Sequence, residues 1–249
     1  MSVPVVRSAP FEHSFLTKPA LADPLWRYMD FSKFVAMLVN GGLYLSRIDR
    51  LGDIYEGWVP KPVKKHYGGF FVQEEMERDN ELRKRSSVER RNYYVSCWHA
   101  NDEQSDAMWK LYVKGAEGIA IRTTCRNLQA SLADTPEELW LYKVMYTNYE
   151  KEPNHGGSML RACLTKRKPF AHEEEVRVIW YMGEDSKFSP QKGRLDSGFY
   201  VQCNLANLIE QVYVAPTEHP WFVPIVKDIL EKYGINAEVI QSGLNLMPQ

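Results

Sequence analysis

The chain predicts a single α+β domain with a mixed or mostly antiparallel sheet flanked by helices. Strand-like runs such as Tyr93–Trp98 and Ile209–Ala215 occur along its length. Helical i, i+3, i+4 patterns occur between them, and no repeat or low-complexity linker divides the 249 residues. Pro4, Pro10, Pro19 and Pro24 make residues 1–24 an extended lead-in, which leaves 25–249 as the domain.

Asp30 stands before Phe31, Phe34, Val35 and Leu38, the face of a short helix capped by Asp30 and stopped by Gly41-Gly42. Leu43–Ile48 alternates as a strand, and a polar turn from Asp49 to Gly57 closes it. From Glu74 to Arg91 charges interleave, with Glu74/Arg78, Asp79/Arg83 and Glu81/Arg85 at i, i+4, which reads as a solvated helix. Tyr93–Trp98 is aromatic and β-branched, hence a strand. Ser105–Tyr112 is a helix with an aromatic stripe, and Gly118–Thr124 a short strand. Trp140–Tyr149 reads as one strand, Pro153–Gly157 as a break and Met159–Leu164 as a helix. Val176–Tyr181 is a strand, followed by a loop to about Gly198 and a strand at Ile209–Ala215. Pro220–Tyr233 is a helix with Trp221, Ile225, Ile229 and Leu230 inward, and Glu238–Ile240 comes last.

Hydrophobic residues at 44% and charged residues at 25% match a soluble protein with a sizeable core. With 31 basic and 32 acidic residues the net charge is −1, so no bulk field draws nucleic acid or an anionic membrane. The first ten residues hold no signal-peptide core, and the apolar run Phe34–Val39 is too short to span a bilayer; a cytoplasmic location is expected. Cys97, Cys125, Cys163 and Cys203 lack zinc-site spacing and the six histidines are scattered, so no tightly bound metal is expected.

The densest chemistry is Phe170-Ala-His-Glu173-Glu174-Glu175-Val-Arg177. In strand geometry Glu173, Glu175 and Arg177 share one face and Glu174 points away. Two carboxylates and a guanidinium at close range shift one another's pKa or bind a ligand; the plain alternative is a salt-bridged strand entrance. Phosphate loops, nucleophile elbows and dinucleotide fingerprints are all missing from the sequence.

An ordered set of short motifs remains: Leu25-Trp-Arg-Tyr28, Leu43-Tyr-Leu-Ser46 with Gly52-Asp-Ile-Tyr-Glu-Gly57, and Ser96-Cys-Trp98 with Ala107-Met-Trp-Lys-Leu-Tyr112. Gly118–Ile121, Lys166 with Phe170-x-x-Glu-x-Glu-x-Arg177, and Ile209–Ala215 complete it. Over residues 25 to 240 this resembles a large, mostly bacterial domain-of-unknown-function family, with Gly52-Asp53-Ile54 where that family carries Asn-Asp-Pro. The resemblance implies a place in bacterial or phage-defence neighbourhoods and supplies no reaction.

The order Arg27, Ser46, Glu-x-Glu is also similar to that of the ADP-ribosyltransferase fold. The similarity implies NAD as substrate, with Glu175 stabilising the charge that develops as ribose and nicotinamide part. Glu173 would hold or deprotonate the acceptor, Arg27 clamp the pyrophosphate and Ser46 orient the glutamate or ribose. Tyr28 or Tyr44 would stack on nicotinamide. Asp53, Glu56, Trp109, Tyr112, Lys166 and Arg177 complete the expected ligand-binding set. The partners implied are a small-molecule nucleotide and a macromolecular acceptor.

Two other readings stand beside it. In a metal-dependent nuclease Asp53, Glu56, Glu173 and Glu175 would converge on Mg²⁺ with Lys166 near the phosphate, and the basic clusters at Arg83–Arg85 and Arg90-Arg91 would grip nucleic acid. In a non-enzymatic binding module Trp98, Trp109, Tyr112 and Phe170 are packing and the Glu-Arg ladder is structural.

Overall fold

The central strand β1 (Pro24–Asp30) carries Arg27 and Tyr28 on opposite faces of a nine-stranded sheet. This is a computed structural model, and it describes residues 16–59, 73–149, 158–182, 197–216 and 221–244. The chain continues through α1 (Phe31–Asn40), β2 (Gly42–Arg47), α2 (Gln73–Glu89), β3 (Tyr93–Ala100), α3 (Asp106–Tyr112) and β4 (Gly118–Thr124). Next come α4 (Cys125–Ser131), β5 (Leu139–Lys143), β6 (Met145–Thr147), α5 (Met159–Cys163), β7 (Thr165–Arg167) and a 3₁₀ turn (Lys168–Glu173). The remainder is β8 (Glu175–Tyr181), β9 (Gly198–Gln202), α6 (Leu205–Leu208), β10 (Gln211–Val214), α7 (Phe222–Lys232) and β11 (Glu238–Gln241).

Neighbouring strands run β11-β10-β4-β1-β3-β2-β9, and β8 pairs with both β3 and β5. Every pair in this sheet is antiparallel except β10 with β11, so the sheet is mostly antiparallel, as the sequence predicts. β3 is shared by three neighbours. β8 takes the whole of one edge, from Tyr93 opposite Tyr181 to His99 opposite Glu175. The other edge is divided: Leu25 and Trp26 of β1 pair with Ala100 and His99, while Ser46 and Arg47 of β2 pair with Val95 and Tyr94. Between them Ser96–Trp98 has no β1 or β2 partner, and the sheet forks.

One face of the sheet packs α1, α4, α6 and α7 around Leu25, Leu43, Leu45, Trp98 and Ile121, all buried. The other face carries a cluster with Val95, Tyr142, Ile179 and α5, and a third cluster joins Trp26, Tyr28, Met108 and Trp109. These faces follow from strand alternation: Trp98 and Val176 point to one, Val95 and Ile179 to the other. Residues of the lead-in also join the domain, because Thr17 and Asp23 accept backbone hydrogen bonds from Lys143 and Cys125 at 2.8 and 3.0 Å. Residues 1–15 of the lead-in, the break at 153–157, loop positions 183–196 and the side chains of Glu74, Arg78 and Asp79 from the expected i, i+4 pairs lie outside the described set.

Several sequence expectations need correction. Asp30 stands at the N-cap of α1 as expected, but its side chain makes no capping bond; its carboxylate accepts from the Lys114 amide at 2.8 Å. Gly41 does stop that helix, in the left-handed conformation at φ 58°, and a Cβ on Gly42 would lie 2.4 Å from the Val201 carbonyl oxygen. Trp140–Tyr149 is two strands: β5 joins β8, whereas β6 pairs in parallel with β7 in a separate sheet. In α7 the inward residues are Phe222, Val226 and Leu230, one helical row, and Trp221 and Ile225 are exposed. Glu173 belongs to the 3₁₀ turn and not to the strand.

Candidate active site

A cavity of about 740 Å³ opens where β1 and β2 part from β3. Arg27 of β1 reaches into the fork, donating to Ser96 Oγ at 2.6 Å and to the Tyr44 carbonyl at 3.1 Å. Its guanidinium carbon lies 5.7 Å from the centre of the Trp98 ring. Burial lowers the Arg27 pKa, but an arginine starts so high that it stays charged. A single β1 side chain therefore bonds to both β3 and β2 across the fork while lining the cavity.

The far wall is ionic. Lys166 Nζ lies 2.7 Å from Glu173 Oε2, 3.2 Å from Glu175 Oε2 and 3.2 Å from Glu56 Oε1. Behind them Arg177 donates from Nε to Glu175 Oε1 at 2.7 Å and from Nη2 to Glu175 Oε2 at 3.0 Å and Glu56 Oε2 at 2.8 Å. A further hydrogen bond runs from Arg177 Nη1 to the Cys163 carbonyl at 2.5 Å. Three carboxylates and two cations thus share one buried cluster, the condition under which buried charges are tolerated.

Burial alone would raise the Glu175 carboxyl, but the Arg177 charge and hydrogen bonds, with Lys166, outweigh it and hold the group down at about 2. For Lys166 burial works downward, and Glu175 and Glu56 reverse it, so its ammonium is held well above the usual lysine range. Tyr112 donates to Glu173 Oε2 at 2.9 Å, and burial followed by the Glu173 charge pushes its phenol up. Cys97 is likewise pushed up, by burial and then by Glu175, so it is a thiol and not a nucleophilic thiolate.

Local sequence explains how Glu173 and Glu175 meet. Pro169 near the start of the 3₁₀ turn fixes its φ, and the turn ends at Glu174, a non-glycine residue in the left-handed region at φ 39°, ψ 51°. That residue reverses the chain so that Glu173 and Glu175 both point inward while Glu174 is exposed. Neighbouring strands hold the reversal: the Glu174 carbonyl accepts from the Ala100 amide at 3.0 Å, and the Glu175 amide donates to Tyr146 Oη at 2.8 Å.

Glu175, Glu173, Ser46, Arg27, Tyr28, Tyr44, Asp53, Glu56, Tyr112 and Lys166 all line the cavity. Arg177, expected to touch ligand, is fully buried behind Glu175 and does not line it. Trp109, also expected there, packs edge-on against Tyr28 at 5.0 Å and is absent from the wall. Ser46 Oγ donates to the Arg47 carbonyl at 3.4 Å and makes no bond to a glutamate. Tyr28 is packed between Trp26 and Trp109 and its hydroxyl accepts from the Ser105 amide at 2.8 Å, which leaves Tyr44 as the better surface for a flat ring. Asp53 is held by Arg167 through bonds of 2.8 and 3.2 Å.

Among the wall residues outside the expected site set, His99 and Trp98 differ from the rest in that their Nε2 and Nε1 atoms are buried without a partner. Nothing in their local pattern sets them apart from core residues.

The geometry does not suit the metal expectation that placed four acids around Mg²⁺. Glu56, Glu173 and Glu175 converge, but on the Lys166 ammonium, which sits where a cation would have to sit. Asp53 is turned to Arg167 instead. Among the described residues no group of histidine, cysteine, aspartate and glutamate side chains is arranged to hold a metal ion, and no helix is long and apolar enough to cross a membrane.

No protein-family model and no curated protein matches the chain, so the family likeness remains a resemblance of motifs. Among solved structures it is similar to Thermus sp. 2.9 DarT in complex with NAD+, at 12% identity and a TM-score of 0.40 over 91% of this chain and 98% of that one.

Proposed function

We propose that this protein is an NAD-using enzyme that breaks the bond between nicotinamide and ribose and passes ADP-ribose to an acceptor or to water. The observation that carries the reading is the meeting of Arg27, Ser46 and Glu175, from three different strands, in one cavity at the fork. The cavity volume of about 740 Å³ falls within the usual range of cofactor and ligand sites, about 300–1,000 Å³. Arg27 presents a planar cationic fork suited to a pyrophosphate. Glu175 keeps a fixed negative charge, which favours positive charge developing on the ribose. Tyr44 offers a ring face, and Ser46 a hydroxyl within the same wall. The buried, unpartnered Trp98 Nε1 is a polar atom that a polar ligand would satisfy.

Calorimetry with NAD and a nicotinamide-release assay test this reading. Wild-type protein is expected to bind NAD and release nicotinamide, and Glu175→Gln to lose roughly 10²–10³-fold in kcat. Absence of NAD binding by the wild type would sink it.

A binding module without catalysis is the second reading, favoured by the near-complete burial of Glu173 and Glu175 against Lys166 and Arg177. It requires NAD or another nucleotide to bind with no nicotinamide released.

A further inference from the structure

The transfer proposed above needs a base for the acceptor, and the two glutamates are poorly placed to provide it. Glu175 is held ionised down to about pH 2, so it does not take a proton near neutrality. Glu173 Oε2 already accepts from both Lys166 and Tyr112.

His99 is different. It is 2% exposed and lines the cavity. Its Nδ1 lies 2.7 Å from the Glu173 backbone carbonyl, which can only accept, so Nδ1 carries the hydrogen and Nε2 keeps its lone pair. That Nε2 is the atom left buried without a partner. Its surroundings hold the ring in place: Tyr28 tilts against it at 6.3 Å and Glu175 is its partner in the β3–β8 ladder.

We propose, resting on the NAD-transfer reading, that His99 Nε2 is the general base that takes the proton from the incoming nucleophile, whether water or an acceptor X–H. The bond from ribose C1′ to the nicotinamide nitrogen breaks and its electron pair stays with nicotinamide. The bond from X to C1′ forms, and the proton of X–H moves to Nε2. Charge balances, because the pyridinium becomes neutral nicotinamide as the imidazole becomes imidazolium. Glu173 is thereby a positioning residue: its main chain fixes the tautomer that leaves Nε2 free. Of the titratable groups nearby, Tyr28 on β1 packs against the ring, Glu173 in the 3₁₀ turn meets it through its carbonyl and Glu175 on β8 is its ladder partner, while Cys97 on β3, Tyr112 on α3 and Lys166 on β7 line the same cavity.

The test compares wild type with His99→Gln in NAD binding, nicotinamide release and the pH profile of kcat. Expected are a kcat loss of about 10²–10⁴-fold, NAD affinity within about threefold of wild type, and loss of the limb along which wild-type activity falls on acidification. A His99→Gln variant with wild-type kcat and an unchanged acidic limb overturns the proposal while leaving the NAD reading intact. A wild type that neither binds NAD nor releases nicotinamide overturns both. Should the variant not fold, imidazole ¹⁵N spectra of the wild type decide: a neutral Nδ1–H ring whose Nε2 resonance moves on adding ADP-ribose supports the assignment, and an Nε2–H ring overturns it.

Discussion

Arg177 and Glu175 share two hydrogen bonds, of 2.7 and 3.0 Å, with the arginine fully buried and the glutamate 4% exposed. Removing either partner leaves the other as an uncompensated buried charge, which is why this pair governs stability as well as the site. Arg177→Met is expected to lower the unfolding free energy by about 3–5 kcal/mol in denaturant titration. A loss below about 1 kcal/mol would mean the pair is solvated.

Acid should unfold the protein through the same pair. The Glu175 pKa is depressed from 4.5 to about 2 in the fold, so its contribution is present above about 4.5 and lost as pH falls toward 2. Its size is on the order of 3 kcal/mol. Lys166 has the opposite sign: its raised pKa contributes stability below 10.5 that disappears as pH climbs beyond that value. Unfolding free energy measured across pH should therefore hold a plateau between these two limbs, and an unbroken slope through pH 4.5 would contradict it.

Lys166 fills the space among three carboxylates, and Lys166→Ala should empty it. Glu56, Glu173 and Glu175 then form an oxygen cluster suited to a hard divalent ion. Adding Ca²⁺ or Mg²⁺ is expected to raise the melting temperature of this variant and to leave the wild type unmoved. Equal responses would show that the lysine is not what occupies a cation position.

Arg27→Lys keeps the charge and removes the planar fork that serves Ser96, Tyr44 and the cavity. NAD affinity should fall by roughly 10- to 100-fold, the equivalent of one or two charge-assisted hydrogen bonds. Calorimetry reads this directly, and unchanged affinity would remove Arg27 from the binding surface.

Glu174 is the one described non-glycine residue with positive φ, at 39°. Glu174→Val should be less stable than Glu174→Gly by about 1–2 kcal/mol, because a β-branched side chain tolerates that conformation worst. Chemical denaturation of the two variants measures the difference.

Much of this was legible in the sequence where periodicity is local. Phe34 and Leu38 mark the buried face of α1, α3 falls within the Ser105–Tyr112 span read as a helix, and β4 runs over the Gly118–Thr124 span that its pattern predicts. Glu173, Glu175 and Arg177 stand out by composition and do share one cluster, with Glu174 turned away. Strand alternation accounts for Glu175 and Arg177 within β8, whereas the turn at Glu174 is what brings Glu173 to them. Long-range partners were not legible: Glu56 meets Arg177 across 121 positions and Asp53 meets Arg167 across 114. His99 was likewise invisible, because its chemistry depends on a carbonyl 74 positions away. The inward row of α7 was misjudged for another reason. Trp221 and Ile225 are as apolar as the residues that are buried, and only the packing against α1, where Phe222 meets Phe31 edge-on at 5.0 Å, selects the row.

The fork on β3 also has a dynamic consequence. A strand that divides one edge between two neighbours leaves a short stretch, Ser96–Trp98, paired with β8 on its other edge but without a partner on this one. Occupancy of the cleft and rigidity of the sheet are then linked quantities: a molecule seated there bridges the halves carried by β1 and β2 and raises the free energy of their separation. Hydrogen exchange at Ser96–Trp98 is where that tightening would be felt first, so the fork is a reporter of binding as well as its place.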